Sequence, residues 1–119
     1  MGIGVAEAAS PASIAGVWAA SANQTLGALV IAQAAVPAGV CKSISGTIFG
    51  ATIEGYYCSV TGRVVFARRL ASGVPFQLYE GYVARDAAVD RIGGTFQVWN
   101  ATGGRLSNEG VDFNFSATK

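Results

Sequence analysis

A period of two, repeated in eight short stretches, constrains this chain more than any other feature. The clearest stretch is the last, Val111-Asp112-Phe113-Asn114-Phe115-Ser116-Ala117-Thr118, apolar at odd positions and polar at even ones. That spacing puts one face in a core and the other in water, as in a half-buried β-strand. A slip of one residue would turn Phe113 and Phe115 outward, so the pattern specifies register as well as secondary structure. The strands so predicted cover 14–20, 26–33, 43–49, 52–58, 63–70, 75–84, 91–99 and 110–118. Thr61-Gly62 and Ser72-Gly73 supply turn chemistry between them. Residues 85–90 are expected to form a turn of helix or a polar loop, and 100–109 a longer loop.

Sequential strands on short connections pair with their neighbours, which gives an antiparallel meander. Eight such strands either close on themselves or fold into two packed sheets. Only 13% of the residues are charged, about half the usual share. Few charges are therefore on hand to guard a sheet edge, and closure removes edges altogether. The expected fold is all-β, an eight-stranded antiparallel up-and-down barrel, with a two-sheet β-sandwich as the alternative. A length of 119 residues fits one domain. The Ala-rich start, 1–12, is expected to be a flexible N-terminal arm, and 13–119 a single barrel.

The same totals exclude several kinds of function. A net charge of +1 leaves no basic surplus for nucleic acid. Arg68 and Arg69 are adjacent, but in a strand they point to opposite faces. No apolar run reaches the ~20 residues of a membrane helix; the longest, 26–40, is broken by Gln33, Pro37 and Gly39. The strands also look short for an outer-membrane barrel, so the chain reads as soluble. Sparse charge favours self-association, and a homo-oligomer is expected. Histidine is absent, which removes the usual general base and most transition-metal sites. No catalytic residue, metal site or cofactor is assigned.

Cys41 and Cys58 enclose a hairpin centred between Phe49 and Gly50, with Gly50 suited to the positive φ of a tight turn. A disulfide across it is geometrically reasonable and would imply an oxidising compartment; two buried free thiols are the alternative. A secreted or periplasmic location is expected accordingly. The N-terminus lacks the charged and long apolar regions of an intact signal peptide.

Candidate lumenal residues are Trp18, Tyr57, Phe66, Glu80, Tyr82, Phe96 and Trp99. Glu80 stands out because it shares a face with Phe76, Leu78 and Tyr82. If that face points inward, an ionisable group enters an apolar cavity, a common mark of function. If Gly81 turns it outward or Arg68 pairs with it, Glu80 is ordinary. The aromatic residues likewise line a cavity or simply fill a core.

Gly16-Val17-Trp18 on the first strand, ahead of an up-and-down eight-stranded pattern, resembles the calycins, and the avidin-like barrels among them most closely. The resemblance implies that Trp18 closes one barrel end against a basic residue, for which Arg68, Arg91 and Arg105 are candidates. It does not carry biotin binding. Avidin-type sequences place an Asn two residues after the Trp and a Ser four further on, where this chain has Ala20 and Gln24. The stretches 57–68 and 114–119 resemble segments of small bacterial secreted proteins, which supports export and the disulfide. The expected function is a non-catalytic, exported barrel that holds a small apolar or amphipathic molecule in its lumen. The alternatives are a structural or surface-interaction protein without ligand, and a small barrel cyclase.

Overall fold

The computed structural model describes residues 10–35, 41–86, 88–99 and 112–119. Eight strands follow in chain order: β1 Gly16–Ala22, β2 Thr25–Gln33, β3 Cys41–Ile48, β4 Ala51–Cys58, β5 Arg63–Arg69, β6 Pro75–Asp86, β7 Val89–Val98 and β8 Phe113–Thr118. Each pairs antiparallel with the next, and β8 pairs back onto β1, so the sheet is a closed up-and-down barrel. The β1–β8 ladder, from Ala19 opposite Thr118 to Ala22 opposite Phe115, rules out the open sandwich. No helix among the described residues is long and apolar enough to cross a membrane.

The alternation in the sequence maps onto the two sides of the barrel wall. Leu29 and Ile31 on β2, Ile44 and Ile48 on β3, and Phe115 and Ala117 on β8 face inward and are buried. The residues between them meet solvent. The turn of helix or polar loop expected over 85–90 gives way to strand at both ends: β6 runs on to Asp86 and β7 starts at Val89. Arg85 lies opposite Asp90 and binds it, which keeps the two strands paired to their ends. Two connections are two-residue turns with both central residues at positive φ, the hairpin geometry that suits strand twist. They are Asn23-Gln24 (φ 46° and 75°) and Phe49-Gly50 (φ 50° and 79°).

The lumen is largely filled. One row of rings crosses four strands in register, Phe66 opposite Tyr79, Tyr79 opposite Phe96, and Phe96 opposite Phe113. Successive ring centroids are 4.9, 4.8 and 5.2 Å apart. Phe115 stands edge-on to both Phe66 and Tyr79, at 5.9 and 5.0 Å. Offset stacks and edge-to-face pairs of this kind add to the burial of large apolar rings. The row ends where β4 presents Gly55 opposite Phe66. A Cβ on Gly55 would lie 1.9 Å from the Val65 carbonyl oxygen, so only glycine allows the close approach of β4 and β5 there.

One barrel end is closed by the chain that precedes β1. Ile14 is fully buried, and its carbonyl accepts a 3.0 Å hydrogen bond from Trp18 Nε1. Tyr57 donates its hydroxyl to the Pro11 carbonyl at 2.5 Å, and Gln33 Nε2 donates to the Ala12 carbonyl at 3.1 Å. Ser10, Pro11 and Ala12, the last residues of the expected arm, thus lie against the barrel, while 1–9 fall outside the described residues. Cys41 and Cys58 sit opposite each other on β3 and β4 near this end and form the disulfide. The connections 36–40 and 100–111 also fall outside the described residues, and with them Arg105.

Candidate functional site

With one end closed and the middle filled, the opposite end remains as a site. There the turns at Asn23-Gln24 and Phe49-Gly50 and the ends of β5, β6 and β7 surround a cavity of about 120 Å³. Ala22, Thr25, Phe49, Arg68, Gln77, Tyr79 and Phe96 line it. Its floor is the top of the aromatic row, because Tyr79 and Phe96 belong to both.

Arg68 is the one charge in this lining. It follows Phe66 by two residues on β5, so strand geometry turns it to the same, inner face. Two rings flank its guanidinium, with the Phe49 centroid 5.5 Å and the Phe76 centroid 5.0 Å from Cζ. Both lie within the range of cation–π attraction. Arg68 Nη1 donates to Gln77 Oε1 at 3.1 Å, and the Tyr79 hydroxyl donates to the same oxygen at 2.7 Å. Arg68 Nε is buried and has no hydrogen-bond partner among the described residues. Burial pushes the Tyr79 phenol up to about 12, with Arg68 opposing the shift, so the hydroxyl keeps its proton at neutral pH.

Phe49 carries backbone strain at this same point. A φ of 50° is rare for an aromatic residue, and left-handed backbone costs a non-glycine residue about 1–2 kcal/mol. Ile48 opposite Ala51 closes the turn around it, and the Phe49 amide donates to the Ala28 carbonyl at 3.1 Å. The strain holds the ring over the cavity and against Arg68.

Of the candidate lumenal residues, Trp18, Tyr57, Phe66 and Phe96 do point inward and are buried. They are not one site. Trp18 and Tyr57 belong to the closed end, Phe66 to the filled middle, and Phe96 to the mouth. Glu80 and Tyr82 are corrected: both face outward. Glu80 Oε2 accepts from Arg63 Nη2 at 3.0 Å on the outer wall, each side chain about one-third exposed, and Tyr82 is 54% exposed. The face that faces inward on β6 is that of Tyr79, Gly81 and Val83. In-register stacking of Tyr79 between Phe66 and Phe96 decides it. Trp99 follows β7, half-buried, with its amide donating to the Phe76 carbonyl at 2.7 Å. It does not line the cavity.

Among the described residues a cation that the sequence did not single out stands over Trp18, while Arg105 lies outside them. Lys119 Nζ lies 6.0 Å from the Trp18 ring and donates to the Ala15 carbonyl at 2.6 Å. Arg68 stands at the other barrel end. The residues that the sequence pattern missed are Arg68 as a mouth residue, Gln77 and Phe49. Spacing from Phe66 carries the signal for Arg68, once the Phe66 face is known to point inward.

Chemically, the mouth offers one fixed cation, an amide, a protonated phenol, a hydroxyl and two flat rings. Among the described residues its lining holds no carboxylate. Such a set has the donors to hydrogen-bond and orient an anion. No group of three or more metal-ligating side chains occurs among the described residues. No protein-family model, curated protein or solved structure matches this chain.

Proposed function

We propose that this chain is a non-catalytic, exported β-barrel that binds a small amphipathic molecule at the mouth of its lumen. The observation that carries the reading is a cavity of about 120 Å³ with aromatic walls, into which a half-buried arginine with a buried, unpaired Nε is built. Strained backbone tends to persist where the surrounding structure and a function demand it, and Phe49 supplies such a strain at the rim. The disulfide supports export, because disulfides persist in oxidising compartments. Gly16-Val17-Trp18, with Lys119 over the indole, supports kinship with the calycin barrels, in a form without the biotin residues. β1 and β2 carry no charged side chain, which supports assembly of like copies through that side.

A second reading, a surface-interaction barrel without ligand, is favoured by the filled middle of the lumen. Backbone amide NMR on the intact, oxidised chain separates the two. A panel of small amphiphiles (hexanoate, benzoate and benzyl alcohol) should shift the amides of Thr25, Phe49, Gln77 and Phe96 together. A spectrum unmoved by every member of the panel would sink the ligand reading and leave the interaction barrel.

A further inference from the structure

We propose that the mouth recognises a small monocarboxylate, its carboxylate seated on the Arg68 guanidinium and its compact apolar body packed beside Tyr79 and Phe96. The inference rests on the mouth-binding reading and names the class of molecule that the site takes. Three observations lead to it.

The first is the arginine itself. Phe49 and Phe76 bracket the guanidinium and Gln77 holds Nη1, so its plane is fixed. Nε is left buried with no partner among the described residues. Native structures pair nearly all buried donors, so an unpaired one is the place to look for a further partner. The side of a guanidinium that carries Nε presents two parallel N–H groups, the geometry that meets both oxygens of a carboxylate.

The second is charge. Among the described residues, the lining carries one cation and no anion. Tyr79 stays protonated and supplies no counter-charge. A single negative charge completes the site, whereas a phosphate dianion would meet only one cation.

The third is shape. The floor beneath Arg68 is formed by Tyr79 and Phe96, which stack on each other with planes 16° apart and so commit their faces to the ring row. A compact apolar body packs beside them by van der Waals contact. An apolar cavity of about 150 Å³ accepts benzene. This one, at about 120 Å³, is slightly smaller, which suits a compact body with its carboxylate against Arg68.

The test is a titration of the full, oxidised chain with benzoate and with benzamide, its neutral isostere, in carboxylate-free buffer. Amide NMR reports both affinity and location. Benzoate should bind roughly tenfold or more tightly than benzamide, with shifts centred on Arg68, Gln77 and Phe49. Arg68→Gln should remove that preference by weakening benzoate roughly tenfold while benzamide changes little. Arg68→Lys, which keeps the charge but loses the fork, should retain only part of it. The wild-type comparison stands even if a variant fails to fold. Equal affinity for benzoate and benzamide at the mouth would overturn carboxylate recognition and leave mouth binding in place. Absence of any shift with either compound would overturn both. Benzoate shifts confined to the outer wall around Arg63 or Arg91 would overturn the assignment to Arg68.

Discussion

Phe66 and Tyr79 face each other across the β5–β6 ladder with centroids 4.9 Å apart and ring planes 12° apart. Tyr79 stacks equally closely on Phe96 from its other side, at 4.8 Å. The barrel is therefore held from within by a row of rings on strands that are distant in sequence. Truncating one member leaves a cavity that its stacked neighbours cannot collapse into. Phe66→Ala should destabilise the fold by about 3–5 kcal/mol in urea unfolding. Leu26→Ala, at an outward site that is 78% exposed, should stay within about 0.5 kcal/mol. Similar costs for the two would mean that the ring row is not the centre of the core.

How much of this was legible beforehand differs from strand to strand. On β8, Phe113, Phe115 and Ala117 alternate with Asn114, Ser116 and Thr118, and the inner face can be read directly. On β6 it cannot, because Leu78 and Tyr82 on one face are as apolar as Tyr79 and Val83 on the other. Only the partners decide, and Phe66 and Phe96 arrive from other parts of the chain. The same uncertainty hid the site. Arg68, offered by the sequence as a partner for Glu80 or Trp18, is placed at the mouth only once the face of Phe66 is known to be the inner one. Phe49 gave no signal, since Phe-Gly reads as a turn in which glycine alone takes positive φ, yet both residues take it.

The cross-strand disulfide closes a loop with a sequence separation of 17. By chain entropy, constraining the unfolded state over such a loop contributes about 3 kcal/mol. Cys41→Ser with Cys58→Ser should lower stability by about that much at an unchanged barrel spectrum. Adding a thiol reductant to the wild type should give the same midpoint as the double variant. A shift well below 1 kcal/mol would show that the β3–β4 hairpin is already constrained in the unfolded chain.

Arg85 and Asp90 make two hydrogen bonds across the end of the β6–β7 ladder, at 2.8 and 3.2 Å, and Asp90 is buried. The Arg85 guanidinium holds the Asp90 carboxyl below the usual aspartate range, against the opposing effect of burial. A carboxyl whose folded value is depressed contributes stability above its unfolded value, ~3.9 for aspartate. That contribution is lost as pH falls from there through the lower folded value. Stability should thus drop on acidification below about pH 4, and Asp90→Asn should flatten that part of the profile. Thermal melts from pH 6 to pH 2.5, for wild type and variant in parallel, read it directly. Parallel profiles would assign the acid limb to other carboxylates.

Phe49 sets stability against binding in a single residue. Its φ of 50° costs about 1–2 kcal/mol that asparagine, at home in left-handed backbone, does not incur. Its ring, however, covers Arg68 at 5.5 Å and packs on the core. Phe49→Asn therefore relieves strain and removes packing, and the two effects offset. The net change in unfolding free energy should stay within about 1 kcal/mol. The mouth, by contrast, loses one side of the bracket that fixes the guanidinium. Benzoate binding should weaken roughly tenfold while the fold survives, as expected where a rigid wall orients an anion-binding group. A variant that binds benzoate as well as wild type would show that the strained ring serves the turn and not the site.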